Sequence, residues 1–210
     1  MKEMQHYRIA LLFLSYRREI TTALLIVFTL ILLPILSVIG FLNTGSQAAS
    51  DALASVNATT HRVEVRNIRG ELIKTLDAAT VWPIKGTVTQ EFGNPNPPYQ
   101  TAHTGIDIDG GYGAPITVFM DGTVVKTGDV LAGCGPHCVI VDHGYGITSI
   151  YAHMSTHSVT VGQTLHPGDA IGTEGSEGWA TGPHLHFEIQ IQHIPINPRT
   201  FMLGNPRPRS

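Results

Sequence analysis

Two histidines stand two residues apart in "GPHLHFEI" (Gly182–Ile189). Residues i and i+2 of a strand project to one face, so His184, His186 and Glu188 share a face, while Leu185, Phe187 and Ile189 share the other. The apolar face belongs in a core. The polar face must meet a site or water. "HTGIDID" (His103–Asp109) repeats the design, with His103, Gly105, Asp107 and Asp109 on one face and Ile106 and Ile108 opposite. Gly105, between two ligand candidates, lets the backbone pass close to something. A third histidine, His153 in "YAHM", follows another alternating run. Two imidazoles and a carboxylate are a usual protein ligand set for catalytic zinc, with a fourth position left to water. Histidines not spent on a metal can move protons or steady an oxyanion. A lone strand histidine is ordinarily packed or solvated, so the weight lies on the joint pattern, which reads as a zinc hydrolase.

The elements around these residues are strands. From Val81 onward short β-rich runs alternate with Gly and Pro: "GTVTQEF", "PITVFM", "GTVVKTG", "CVIVDHG", "GITSIYAHM", "SVTVGQ", "AIGTEG" and "HLHFEIQIQ". None has sustained helical periodicity, so an all-β domain of many short strands is expected. The 22 glycines and 13 prolines fit strands and turns. A formal net charge of −3 offers no electrostatic case for nucleic acid.

Only 14% of residues are charged, which suggests a membrane segment diluting a globular domain. Ile20 to Leu42 carries no charge, and as a helix it would measure about 35 Å against a hydrocarbon core of ~30 Å. Arg8, Arg17 and Arg18 precede it and no Lys or Arg follows until Arg62, which predicts a cytoplasmic N-terminus and an exported remainder. A cleaved signal peptide ending near "SQAAS" (Ser46–Ser50) is the alternative, but the apolar run exceeds the usual signal length. The predicted organisation is a cytoplasmic 1–19, a membrane helix over 20–42, a linker over 43–80, a β domain over 81–200 and a tail over 201–210. "HRVEVRNIRGELIKTL" within the linker reads as two short strands around Arg69-Gly70, or as a helix starting at Gly70. Cys134 and Cys138 bracket "GPH", and in an exported domain they are expected to form a disulfide. A metal site with His137 and a pair of free thiols are the other options.

Val81 to Pro198 resembles the LytM/lysostaphin-type domain of the M23 family of zinc metallopeptidases. The resemblance rests on "WPIKGTVTQEFG", "HTGIDIDGGYGAPI", "DGTVV", "VIVDHGYGITSIYAHMS", "VTVGQTLHPGDAIGTEGSEG", "TGPHLHFEI" and "INP", in family order. It implies a compact antiparallel β-sheet or sandwich domain with one zinc per chain, held by His103, Asp107 and His186. It implies that His153 and His184 are the catalytic pair, and that peptide cross-links of peptidoglycan are the substrate. All five residues are present, whereas degenerate relatives lose ligands and act as activators or scaffolds. The hairpin "AGCGPHC" departs from the family pattern. Asn57–Thr80 is the one segment placed to mask a groove. The sequence alone therefore predicts a membrane-anchored, single-pass peptidoglycan endopeptidase with its peptidase domain outside the cell membrane. A non-catalytic wall-binding or regulatory module, or a lytic part of a conjugation or secretion apparatus, are the alternatives.

Overall fold

A computed structural model describes residues 16, 17, 19–32, 45–77, 81–96 and 101–208. The chain divides into two compact units, Met1–Leu42 and Asn43–Ser210.

In the first unit, helical geometry covers 16, 17 and 19–32, and Phe28–Leu32 widens into a π-helix. Among the described residues no helix is long and apolar enough to cross a membrane. The run 19–32 measures about 21 Å, against ~30 Å of hydrocarbon. The expected membrane helix over 20–42 is corrected accordingly, and its second half, 33–42, lies outside the described residues. The membrane anchor, the single-pass topology and the cytoplasmic and extracytoplasmic sides inferred from it fall with the helix. The physical reason is that hydropathy registers an uncharged run, whereas a span needs about twenty residues in one regular helix.

The second unit opens with a helix over 45–53 and a three-stranded sheet: β1 (Ala54–Val56), β2 (Val63–Arg66) and β3 (Leu72–Leu76). The β2–β3 turn contains Gly70 at φ 80°, a left-handed conformation natural to glycine. Leu53, Ala54, Val63 and Val65 join the main core, so the segment read as a linker is folded structure. Beyond that core, the Ser50 hydroxyl accepts from the Asn197 amide, the Ile68 amide donates to Gln192, and Lys74 donates to Tyr145.

The remaining strands are β4 (Thr87–Gln90), β5 (Pro95–Asn96), β6 (Thr101–Ala102), β7 (Ile106–Asp109), β8 (Pro115–Thr117), β9 (Gly122–Thr127), β10 (Val139–Asp142) and β11 (Ile147–Ala152). They continue with β12 (Met154–His157), β13 (Thr164–Leu165), β14 (Ala170–Glu174), β15 (Leu185–Ile191) and β16 (Ile194–Ile196). An antiparallel sheet runs β13-β9-β10-β11-β15-β7-β4. One edge of β15 is shared, with Leu185–Phe187 pairing β7 and Ile189–Ile191 pairing β16. A smaller sheet runs β12-β14-β8, and β5 pairs β6.

The central sheet has two faces of different character. Leu185, Phe187, Ile189 and Ile191 of β15 are fully buried, with Ile106, Ile108, Ile147, Tyr151, Val139 and Val141 beside them in one core. Each large side chain so buried contributes roughly 1.5–3 kcal/mol. On the opposite face, Ile140, Ile150 and Ala152 form a small apolar patch with Cys134 and Cys138. His186, Glu188 and Gln190 stand on that second face by the alternation of β15. Residues 201–208, expected as a tail, pack back: Phe201 and Met202 are buried, and the Arg207 carbonyl accepts from the Gly86 amide.

Candidate metal centre and active site

The β7–β15 ladder sets His186 directly opposite Asp107. That register needs close backbones. A Cβ on Gly105 would stand 2.4 Å from the Phe187 carbonyl oxygen, so only glycine lets the chain between His103 and Asp107 lie against β15.

Three atoms converge there. Asp107 Oδ1 lies 3.0 Å from His103 Nε2 and 2.9 Å from His186 Nδ1. The two imidazole nitrogens are 3.0 Å from each other. His103 and Asp107 are buried. The other nitrogen of each ring is engaged elsewhere. His103 Nδ1 donates to the Glu91 carbonyl at 3.1 Å, and Glu188 Oε2 lies 3.5 Å from His186 Nε2. With ring protons held on those outer nitrogens, three lone pairs would face one point, an arrangement suited to a cation. Tetrahedral coordination with bonds near 2.0–2.1 Å sets ligand atoms about 3.3 Å apart, close to the observed triangle. Among the described residues this is the group of histidine, cysteine and acidic side chains able to hold a metal ion.

Protons can stand where a cation would, on the nitrogens that face Asp107. Burial opposes charge on Asp107, but hydrogen bonds from His103 and His186 override it and hold its carboxyl well below the usual range. Burial likewise opposes a charged His186, yet Asp107 and Glu188 push its pKa up to about 9. The cluster therefore draws positive charge into a site that is otherwise costly for it.

The supporting contacts reach further. Arg199 clamps the Glu91 carboxylate with Nη2–Oε1 at 2.6 Å and Nε–Oε2 at 3.2 Å, fixing the residue whose carbonyl orients His103. Glu188 accepts from Thr104 Oγ1 and Gln190 Nε2 while facing His186. Burial works against its charge, and the His186 contact restores it, lowering its pKa.

His153 and His184 flank the cluster with ring centroids 4.8 Å apart. His184 Nδ1 donates to the Gly182 carbonyl at 2.9 Å, and its Nε2 stands 3.7 Å from Asp107 Oδ2. His153 Nδ1 donates to the Glu177 carbonyl at 2.7 Å. Burial first, then the neighbouring His184, lowers the His153 pKa to about 4, so its Nε2 is unprotonated at neutral pH. His153 joins the central sheet to the smaller one through a left-handed backbone, φ 64°. Beside it opens a cavity of about 250 Å³. Ile150 and Ala152, Cys134 and Gly133, Trp179 and Glu188 contribute to its lining.

The structure thus gathers His103, Asp107, His186, His153 and His184 at one place, and joins Cys134 to Cys138 at its border. Glu188 and Arg199 were not singled out in the sequence. Glu188 shares the histidine face by its i+2 spacing, and that was the available signal. Arg199 directly follows the "INP" stretch, but nothing there points to its partner Glu91, 108 residues away. His143 belongs to the other face, where its Nδ1 donates to the Asp121 carbonyl and Ser149 meets Nε2 at 2.8 Å. The 57–77 segment bonds near Tyr145 and Gln192, about 20 Å along β15 from His186. Residues 78–80 lie outside the described residues.

Sheet, cluster and attendant histidines define a domain of the metallopeptidase kind. Residues 101–198 match the model of Peptidase family M23. Over 104 residues the chain is 38% identical to the DD-carboxypeptidase/endopeptidase Mpg of Neisseria meningitidis, covering 50% of this chain and 24% of that protein. Over 121 residues it is 36% identical to the murein hydrolase activator NlpD of Escherichia coli, covering 58% of this chain and 30% of that one. The solved catalytic domain of the prophage-encoded M23 protein EnpA from Enterococcus faecalis shares the fold with a TM-score of 0.52 and 28% identity. That match covers 59% of this chain and 96% of that one. The chain spans about a quarter to a third of the length of these two curated relatives. Residues 101–198 thus form a zinc peptidase domain of the M23 type, as the resemblance in the sequence implied.

Proposed function

We propose that the domain is a zinc metalloendopeptidase that hydrolyses peptide cross-links of peptidoglycan. The observation that carries this is the convergence of His103 Nε2, Asp107 Oδ1 and His186 Nδ1 beside two histidines that are each anchored through Nδ1. Two nitrogens and one carboxylate oxygen are a usual donor set for catalytic zinc, and three protein ligands leave a position open. When bound, zinc supplies Lewis-acid polarisation of a peptide carbonyl and makes water more acidic.

The chain's own residues do the rest. His103, Asp107 and His186 bind, with Glu91, Arg199 and Glu188 holding their orientation. The fixed Nδ1 contacts of His153 and His184 hold both rings in place. Between them these two imidazoles take a proton from the attacking water and return it to the leaving amine. The peptidoglycan substrate is supported by the names of the Neisseria and Escherichia relatives, both of which point to the cell wall.

Incubation of the full chain with purified peptidoglycan, followed by mass spectrometry, should release peptides with new amine and carboxyl ends. A chelator should stop the release. His184→Ala should abolish it while zinc stays near one per chain. Zinc loss in that variant would mean the ligands are wrongly assigned. The activator relative favours a second reading, a wall-binding or regulatory module that retains the metal. Zinc binding without any peptide release would favour that module.

A further inference from the structure

The Cys134–Cys138 hairpin lies directly against His153. A non-glycine residue at φ 64° is disfavoured and persists only when its surroundings hold it. Two backbone carbonyls hold His153. Cys134 accepts from its amide at 2.8 Å, and Glu177 accepts from Nδ1 at 2.7 Å.

Those carbonyls belong to two loops that are locked together. The Trp179 amide donates to the Gly133 carbonyl at 2.9 Å. A Cβ on Gly178 would lie 2.1 Å from the Gly133 oxygen, and one on Gly135 would lie 2.8 Å from Glu177 Cβ. Only glycines permit this approach, and Gly178 also has φ 70°. The far end of the hairpin is equally fixed. Cys138 is fully buried at the start of β10, and its carbonyl accepts from the Gly128 amide at 2.9 Å. The disulfide therefore ties the Cys134 carbonyl to the rigid sheet.

We infer that the Cys134–Cys138 clip, docked on the Glu177–Trp179 loop through Gly178, is a positioning device that sets the backbone and ring orientation of His153. The inference rests on His153 being part of the catalytic pair. Cys134 and Glu177 act on His153 through their backbone carbonyls.

The test uses the full chain as wild type, Cys134→Ser/Cys138→Ser, Gly178→Ala and His153→Ala. Gly178→Ala leaves the disulfide intact and pushes the two loops apart, so it stands independently if the cysteine variant misfolds. Metal content, kcat, KM and amide hydrogen exchange are measured on each. A small displacement of a reacting group costs on the order of 100-fold, so kcat should fall roughly 10- to 100-fold in both loop variants. KM and metal per chain should stay within about twofold of wild type, and the His153 amide should exchange about tenfold faster or more, with the Ile150 and Phe187 amides unchanged. Unchanged kcat despite lost His153 protection would overturn the inference, and so would His153 protection that survives in both variants. Wild-type kcat in His153→Ala would instead sink the catalytic reading of that residue. If the wild type itself has no activity, the proposed function fails, and the exchange measurements alone decide whether the loops hold His153.

Discussion

At the scale of single residues, the site works by giving each histidine one committed nitrogen and one directed nitrogen. His103, His153 and His184 spend Nδ1 on backbone carbonyls, and His186 turns Nε2 to the Glu188 carboxylate. His143 shows the contrasting use. It is enclosed by Phe119, the Asp121 carbonyl and Ser149, and burial lowers its pKa to about 4. An unfolded histidine titrates near 6.5. Below that value the unfolded chain takes up a proton that the folded chain refuses, so stability present above pH 6.5 is lost as pH falls toward 4. His143→Gln should lose less stability between pH 7 and pH 5 than wild type, by about 2 kcal/mol in urea unfolding. An identical pH dependence in the two proteins would show that His143 is not held neutral by burial.

At the scale of elements, two strands decide the centre. β15 alternates core and site residues with a period of two, and β7 does the same. Their registration brings His186 opposite Asp107, while His184 lies before the strand and bridges Gly175. Both histidines share a face, but only one stands in the ladder beside the aspartate. Gly105 makes that approach possible. Gly105→Ala would force a Cβ to within 2.4 Å of the Phe187 carbonyl oxygen. The strands must part, with an expected loss of roughly 1–3 kcal/mol in stability and at least about tenfold in metal affinity. Denaturation and metal titration of the same variant check both. Wild-type metal affinity in a folded Gly105→Ala protein would separate the ladder from the site.

At the scale of the domain, the metal cluster is built by residues 83 positions apart, His103 and His186, so a bound cation fastens strands that only the fold brings together. Anything that binds the native state alone stabilises it by mass action. Zinc should therefore raise the thermal midpoint of the full chain in a concentration-dependent way, and Asp107→Asn should abolish the shift. Equal shifts in both proteins would place the ion elsewhere.

Much of this was legible beforehand, for stated reasons. Period-two alternation is a local property, so β7 and β15 and their polar faces could be read directly. Gly105 announced a close approach, and the structure supplies its partner, the Phe187 carbonyl. The Ser, Ala, Asn and Thr content of 43–57 carries little local signal and reads as a linker, whereas the two short strands around Arg69-Gly70 are legible and form β2 and β3. Leu53, Val63 and Val65 nevertheless dock in the common core, a long-range event. The membrane helix failed for the opposite reason. A charge-free run is a local signal, but a span requires one regular helix of sufficient length, and the described helix is short.

The sequence by itself determined the chemistry on offer: three alternating segments that carry histidine, one of them with aspartate on the same face, in an order that matches a peptidase family. Only the tertiary structure decided which lone pairs converge, which ring nitrogens are tied to the carbonyls of Glu91, Glu177 and Gly182, and which hairpin holds His153. Alternation is written in neighbouring residues. Convergence depends on the register between strands far apart in the chain, and no local pattern contains that distance.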